Sequence, residues 1–546
     1  MGQTSTKPET NLPPSASTST ITTRFKPRKH LSRVELVSIQ YVFRDLKSTF
    51  KDSFECIEAK QFLEHLHLPS DIEPAGVLLF KAFSYLGSYP ACTASGPVPL
   101  SFDAFIAAFV VLIGRLDKDG DPISESMFFR SLSILPSPQE EEEKQVNKPS
   151  NEDINQDTMK STGSKGLSLA ELGVDFDVDF DTKNSNEGDT ENNASDKILC
   201  RDLVELFVLL LWLGQVDKQD EIDLVLIRET ANKIVSNIQT TATTDELPCI
   251  SYQQFCYWKD RFSPHLFKPL QSFIIRSFAY YDTNTSLLKR ERVLPEDATP
   301  EPDTTDILSP LHTTLLSWSL PEPILVTKQW TRLYSANKDG FSMNRFESHV
   351  FKYPGPTLLV IKANASGQEL MLGAYIAQAW KHSKHFWGND QCFLFELHPS
   401  FDIYRSVLNR RTGQAQNDHY IYYHHEFGIG FGATSIKLQP QGFIVYLRNS
   451  LQQGGYQHEA YPSQPSLISA TKSKEHLQFS FQFDTEDIEV FGLGSEKDRE
   501  RQAREWKFEK QEAERRASLN MRQSDGNLDK ELLKMAGIID ENRQER

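Results

Sequence analysis

The 546-residue sequence lacks the features that mark membrane-spanning and disulfide-stabilised proteins. A helix that crosses a bilayer needs about 18 or more apolar residues in succession. The best apolar runs, at 105–113 and 203–213, are shorter and are typical of buried helices. The six cysteines show no CxxC spacing, so neither a zinc ribbon nor a disulfide framework is indicated. A reducing compartment is the simpler expectation.

Positive charge is also scarce. The formal net charge is −16, and residues 139–197 alone contribute −10, with 16 Asp and Glu against 6 Lys and Arg. No predicted folded segment carries the extended basic patch that nucleic-acid binding normally requires. Direct binding of DNA or RNA is therefore disfavoured.

Catalytic motifs are missing as well. The sequence has no P-loop and no G-x-S-x-G nucleophile elbow. Cys392 lies within an apolar strand, where a thiol is expected to be inert. His424 and His425 are adjacent in a predicted strand and face opposite sides, so they cannot easily share a metal ion. We predict no catalytic residue, metal site or cofactor, and a redox or hydrolytic enzyme using Cys392 or the histidine pair remains the alternative.

The N-terminus carries a lipidation pattern. Residues 1–6 read Met-Gly-Gln-Thr-Ser-Thr, which fits the M-G-x-x-x-[ST] pattern for N-myristoylation of Gly2. One myristoyl chain gives only marginal membrane affinity, so a second element is needed. The first 30 residues hold five Lys and Arg against one Glu, and this basic tail can supply it by attraction to anionic lipids. An ordinary polar tail whose glycine is there by chance is the competing interpretation.

Shifts in composition divide the chain into an α+β multidomain protein. Helical periodicity begins after Ser32, where Ser32 and Glu35 form a capping-box pattern. The run 203–212 predicts a central buried helix. The predicted parts are a disordered tail at 1–30, an α-helical region at 31–136 and 198–282, an acidic disordered insertion at 137–197, a linker at 283–310, a β-sandwich with flanking helices at 311–494, and C-terminal helices at 495–546.

The helical region resembles a degenerate EF-hand arrangement, because a predicted helix over 101–114 is followed by the acidic turn 117–121. A calcium loop needs glycine at position 6 and Glu at position 12. Counting from Asp117, glycine falls at position 4 and Phe128 at position 12. A solvated turn accounts for this segment better than a calcium site does.

From Leu311 onward the pattern changes to short strands, dense in β-branched and aromatic residues and bounded by Gly, Pro, Asn or Asp. The glycines of 428–432 do not form a dinucleotide fingerprint, because no helical pattern follows them directly. They are expected to permit positive φ or close backbone approach.

Several ordered motifs in this module resemble the TLDc family, and the likeness covers about residues 311–520. The helical N-terminal half and Gly2 resemble the myristoylated subgroup of that family. The chain as a whole resembles the fungal members that are named for telomere capping. The matching segments are 333–335 with 339–342, 355–360, 373–375, 386–388, 392–395, 428–432 and 488–492. At 461–465 the chain departs from the Phe-Gly-Asn-Pro-Pro-like turn of relatives, which puts any contact of that turn in doubt.

The resemblance implies a β-sandwich without established enzymatic activity, linked to oxidative-stress resistance and to binding of the vacuolar or lysosomal proton-pumping ATPase. It favours a cytoplasmic protein associated peripherally with the vacuolar membrane, with the peripheral sector of the pump as partner. The telomere-capping name describes a phenotype, and a nuclear factor that acts directly at telomeres is the remaining alternative.

The segment after Gly494 predicts a long charged helix over 495–519, which Ser495 and Asp498 can cap. Residues 496–516 hold eight Lys and Arg and seven Asp and Glu. The resemblance implies that this helix contacts the pump, and packing of Trp506 on its own domain is the alternative. The predicted partner-binding residues are Arg504, Trp506, Lys510, Arg515 and Arg516.

Overall fold

The computed structural model describes residues 25–50, 54–92, 96–116, 123–133, 196–215, 222–239, 248–280, 301–326, 329–406, 420–434, 439–460, 465–471, 474, 476–524 and 535–536. Several predictions fall outside these ranges. They concern Gly2 and most of the N-terminal tail, the turn at 117–121, almost all of the acidic insertion, most of the 283–310 linker and the turn at 461–464. Among the described residues, no helix combines the length and the apolar character needed to cross a membrane.

The chain divides into two compact units. The first contains Met1–Leu206, Ala242–Cys256 and Gln271–Thr283, and the second contains Phe207–Thr241, Tyr257–Leu270 and Asn284–Arg546. Three helices contribute residues to both units, since a boundary falls within each of them.

The first unit is mainly helical. Its first helix begins with the predicted capping box, which is confirmed: the Ser32 hydroxyl accepts from the Glu35 N–H, and the Glu35 carboxylate accepts from the Ser32 N–H. Among the described residues, two short antiparallel strand pairs accompany the helices: β1 pairs with β2, and β3 pairs with β4, which lies about 50 residues later in the chain. The elements are α1 (Arg33–Leu46), β1 (Ser48–Phe50), β2 (Phe54–Cys56), α2 (Ala59–Leu66), α3 (Glu73–Leu86), α4 (Phe102–Leu112), α5 (Ile123–Leu132), β3 (Lys197–Leu199), α6 (Cys200–Leu213), α7 (Leu224–Ile238), β4 (Cys249–Ser251), α8 (Tyr252–Phe262) and α9 (Lys268–Ile274). Of these, α6, α8 and α9 have residues in both units, and α7 lies within the second.

Aromatic side chains fill the core of the first unit. The ring of Phe83 lies 5.0 Å from Phe62 and 5.5 Å from Phe105, and Phe278 lies 5.1 Å from Phe105, measured between centroids. All four side chains are buried. The prediction of a buried helix over 203–212 is also confirmed, because every apolar residue of that run is buried.

Within the described residues, the second unit is built on a 13-stranded sheet that is antiparallel except where β5 pairs with β6. Its elements are β5 (Glu301–Pro302), α10 (Pro310–Ser319), α11 (Glu322–Leu325), β6 (Gln329–Ser335), α12 (Ala336–Asp339), α13 (Met343–Val350), β7 (Thr357–Ala365), β8 (Gln368–Ile376), β9 (Ser383–Trp387), β10 (Phe393–His398), β11 (Asp402–Ser406), β12 (Ile421–His424), β13 (Gly428–Ala433), β14 (Phe443–Arg448), β15 (Gln453–His458), β16 (Leu467–Ser469), β17 (Phe479–Gly492) and α14 (Glu496–Ser524).

The sheet is continuous, so the predicted β-sandwich takes the form of one curled sheet. Strand β17 has 14 residues, and its first half pairs with β15 while its second half pairs with β7 and β6. The two halves of the module are therefore hydrogen-bonded through one shared strand, and the sheet curls around the core. A register shift between Thr485 and Asp487 leaves Glu486 as the extra residue of a bulge.

The glycines of 428–432 behave as predicted. Gly428 has a φ of 115°, and a Cβ added there would lie 2.1 Å from the Leu447 carbonyl oxygen. At Gly430 an added Cβ would lie 2.5 Å from the Phe443 ring. These residues permit close approach of β13 to β14, and they form no ligand-binding loop.

Residues 301–310 are part of the sheet module, which shortens the predicted linker at 283–310. Strand β5 pairs with β6, and Thr305 and Asp306 donate hydrogen bonds to Glu489. Their polar, proline-containing composition is typical of a linker, but here the polar groups satisfy a buried carboxylate.

Candidate functional site

The base of helix α14 is fixed to the sheet module. Ser495 donates to the Asp498 carboxylate from both its N–H and its hydroxyl, at 2.8 Å each. Just before the helix, the Gly494 N–H donates to the Tyr353 hydroxyl at 2.7 Å. These bonds set the direction in which α14 leaves strand β17.

Trp506 holds the next turns of α14 on the domain. Its half-buried side chain packs against the core of the sheet, and its ring lies 6.1 Å from that of His349. Gln502, four residues earlier and therefore on the same face, is buried. Trp506 therefore packs on its own domain, which was the alternative to a contact with a partner. A direct contact between Trp506 and a partner stays a prediction.

The opposite face of α14 is exposed and largely basic. Successive helical residues are about 100° apart, so Arg504, Phe508 and Arg515 lie on the side away from Trp506. Phe508 is 68% exposed, and both arginines are exposed. We call Arg504, Phe508, Gln511 and Arg515 the outer stripe of α14. An aromatic ring between two guanidinium groups suits a partner surface that is acidic with an apolar depression.

Charged side chains four residues apart on α14 have the spacing of helix ion pairs. Arg516 and Arg515 both contact the Glu512 carboxylate, at 3.3 Å and 2.8 Å. Arg504 stands four residues after Glu500 but donates to its backbone carbonyl. Lys510 is exposed and lies towards the Trp506 side of the helix, apart from the outer stripe.

The two places considered for catalysis are occupied by structural contacts. The Cys392 side chain is 3% exposed, and burial raises the pKa of its thiol, which disfavours the reactive thiolate. The Glu426 N–H donates to His424, and His425 lies 3.3 Å from the Glu347 carboxylate.

A buried ionic network links strands β10, β11 and β15 with the segment after β16. The Lys474 ammonium lies 2.6 Å from Glu396 and 2.8 Å from Asp402, and Tyr456 donates to Glu396 at 2.6 Å. The Tyr404 and Tyr456 hydroxyls are 2.9 Å apart. Burial alone would lower the pKa of Lys474, but Asp402, Tyr404 and Glu396 raise it, so the lysine is charged. The network therefore stabilises the packing of these strands against the segment that carries Lys474.

A second group of carboxylates lies on the outer face of β17. Ile488 and Val490 pack into the core of the sheet, so Asp487 and Glu489, which alternate with them, face the other side. Asp306 approaches from the segment before α10. One ligand oxygen from each of these three carboxylates lies within 4.8 Å of the other two. We call Asp306, Asp487 and Glu489 the acidic cluster.

Sequence reasoning missed the acidic cluster, although part of its signal was present. Asp487 and Glu489 stand in a strand with the apolar residues 488, 490 and 491, and both are buried. Two acids on one face of an otherwise apolar strand need partners, because buried charges are costly unless paired. The identity of the third member, Asp306, could not be found without the fold.

The sheet module corresponds to a known domain family. Residues 302–494 match the family model of the TLDc domain, so the chain contains a TLDc domain and the resemblance drawn from its motifs is confirmed. The matched region begins with strand β5 and ends immediately before α14.

Curated fungal relatives carry the name "Restriction of telomere capping protein 5". The protein from Leptosphaeria maculans is 24% identical, over 100% of this chain and 99% of its own length. That from Pyricularia oryzae is 24% identical over 93% of this chain and 94% of its own, and that from Kluyveromyces lactis is 25% identical over 53% and 57%. The similarity extends beyond the TLDc domain into the helical region.

Proposed function

We propose that this chain is a non-enzymatic TLDc interaction protein that binds the peripheral sector of the vacuolar proton-pumping ATPase and regulates the assembly or activity of the pump. The observation that carries the proposal is helix α14: one face is anchored to the TLDc domain through Trp506, and the outer stripe presents Phe508 between Arg504 and Arg515. A rigidly based helix with an exposed aromatic residue suits recognition better than catalysis.

The N-terminus supplies the proposed location. A myristoyl group on Gly2, together with the basic residues of the first 30 positions, would hold the chain at the cytoplasmic face of the vacuolar membrane. Replacing Gly2 by Ala should release the protein from vacuolar membranes. Unchanged fractionation of Gly2→Ala would show that lipidation is not the anchor.

The relatives' name refers to telomere capping, and the family resemblance adds oxidative-stress resistance. We propose that both are indirect consequences of altered pump activity in this protein. The formal net charge of −16 supports this view, because a direct telomere factor would need to attract the DNA backbone.

The test is co-purification of the pump from vacuolar membranes with the full-length tagged chain. Phe508→Ala and Arg504→Glu should each reduce the recovered pump about fivefold or more, as expected for central interface residues. Glu514→Ala changes an exposed residue of α14 away from the outer stripe and is the matched control.

Trp506→Ala should also weaken recovery, but through loss of the helix anchor. If pump recovery and pump assembly are the same for the wild-type chain, Phe508→Ala and Arg504→Glu, the proposed role of α14 is wrong.

A further inference from the structure

The acidic cluster has the geometry of an oxygen-lined cation site. Asp487 and Glu489 are 3% and 0% exposed, while Asp306 is exposed and gives access from solvent. Hard divalent cations bind carboxylate and hydroxyl oxygens at about 2.0 to 2.6 Å. Oxygens separated by 4.8 Å or less can therefore contact one ion together.

Asp487 has an oxygen that nothing in the described structure satisfies. Its Oδ1 accepts from the N–H groups of Asn337, at 3.0 Å, and Ile488, at 2.8 Å. Its Oδ2 is buried and has no hydrogen-bond partner among the described residues. An unsatisfied buried carboxylate oxygen is costly, and a bound cation would remove that cost.

Ser335 provides a second unsatisfied oxygen at the same place. It stands directly opposite Glu489 in the pairing of β6 with β17, so both side chains lie on the same face of the sheet. The Ser335 hydroxyl is buried, in a residue that is 1% exposed, and also lacks a hydrogen-bond partner within the described ranges. A hydroxyl oxygen beside three carboxylates extends the set of hard ligands.

The ionisable groups around the acidic cluster are more acidic than basic, which favours a bound cation. Arg332 contacts Asp306 at 3.4 Å and Glu489 at 3.3 Å, and Lys338 contacts Asp306 at 2.7 Å. Asp339, which accepts from the Ser335 N–H, is a fourth carboxylate beside the cluster. Four carboxylates and two basic side chains give the site a formal charge of −2, which a divalent cation would balance.

We propose that Asp306, Asp487 and Glu489, with the Ser335 hydroxyl, bind one hard divalent cation on the outer face of β17. Glu489 keeps its bonds from Thr305, at 2.6 Å, and from the Asp306 N–H, at 3.0 Å, because each carboxylate oxygen can accept more than one contact. The half-exposed Lys338 ammonium is the competing cation on Asp306, and it moves into solvent when the ion binds.

The experiment titrates the purified full-length chain, stripped with a chelator, with Ca²⁺, Mg²⁺ and Mn²⁺ in separate calorimetric runs. A sodium control at matched ionic strength removes general salt effects. We expect saturable binding of at least one of these ions, and a rise in the unfolding temperature reported by tryptophan fluorescence. Asp487→Asn should weaken that binding about tenfold or more.

Glu486→Gln is the matched control, because Glu486 is the neighbouring acid on the bulge but its carboxylate contacts Lys362 instead of the cluster. It should bind the ion like the wild type. Lys338→Ala changes an exposed residue and should tighten binding by removing the competing ammonium. Because the expected effect is a gain, this variant remains informative if Asp487→Asn does not fold.

Three results would overturn the proposal. The wild type could bind none of the three ions, Asp487→Asn could bind as tightly as the wild type, or Lys338→Ala could leave the affinity unchanged. An ion held at another place in the chain would be seen equally in the wild type and in Asp487→Asn. The pump-binding assay is independent of these measurements, so the two proposals can fail separately.

Discussion

Replacing His312 by Gln should flatten the dependence of TLDc-unit stability on pH between about 7.5 and 5. His312 occupies the third position of α10, where its Nδ1 accepts a hydrogen bond from the Ser309 N–H at 3.2 Å. Burial, together with nearby His398, lowers the pKa of His312 to about 4. Protonation of Nδ1 would remove the acceptor that caps the helix. The folded unit therefore holds His312 neutral.

The sign and size of the effect follow from the two pKa values. The unfolded chain binds a proton near its ordinary value of 6.5, whereas the folded unit binds it only near 4. The contribution of neutral His312 to the free energy of unfolding is complete above pH 6.5, and it is lost as the pH falls towards 4. One pKa unit corresponds to about 1.36 kcal/mol, so the loss between pH 7.5 and pH 5 is about 2 kcal/mol.

Urea unfolding of the full-length chain, followed by tryptophan fluorescence at pH 7.5 and pH 5, measures this loss. All seven tryptophans belong to the second unit, so their fluorescence reports on it. Glutamine can accept the same hydrogen bond, since Gln is a normal third residue of a capping box. His385→Gln changes an exposed strand histidine and is the control. Equal losses of stability in the wild type and His312→Gln would refute the reasoning.

Two further variants test packing in the same unit. Lys474→Met should destabilise the unit by roughly 3 to 5 kcal/mol, because Asp402 and Glu396 would be left buried without their cation. The control Lys362→Met removes longer and more exposed ion pairs, so it should destabilise the unit by less than about 1 kcal/mol. If urea unfolding gave the same destabilisation for both lysine variants, the argument from burial would be wrong. Trp506→Ala should lower stability by about 1 to 2 kcal/mol and increase hydrogen exchange along α14, while Phe508→Ala should do neither.

Local features of the fold could be predicted where the signal lies within a few residues. The capping box of Ser32 and Glu35 is one example, and the buried run 203–212 of α6 is another. Helix caps and periodic apolar faces depend on neighbours three or four positions away. The glycines of β13 belong to the same class, because a required positive φ restricts the residue type directly.

Sheet order could not be predicted in this way. A module of short strands was predicted, but the sharing of β17 between two halves depends on its pairing with β15, β7 and β6. The acidic cluster shows the same limit, since its members Asp306 and Glu489 are 183 positions apart in the chain. Composition placed Thr305 and Asp306 in a linker because polar residues near prolines are typical of one. Thr305 and Asp306 are polar because they donate hydrogen bonds to the buried Glu489, and this is seen only in the folded structure.

Strand β17 explains why the acidic cluster and helix α14 occur together. The bulge at Glu486 shifts the pairing with β7, and Asp487 and Glu489 then share the outer face of the strand. The strand ends at Gly492, Gly494 then donates to the Tyr353 hydroxyl, and α14 begins at Glu496. The same stretch of backbone therefore holds the cluster and sets the base of the helix. Because β17 is paired on both sides there, it is a rigid support, and a rigid support lowers the ordering cost of a binding surface.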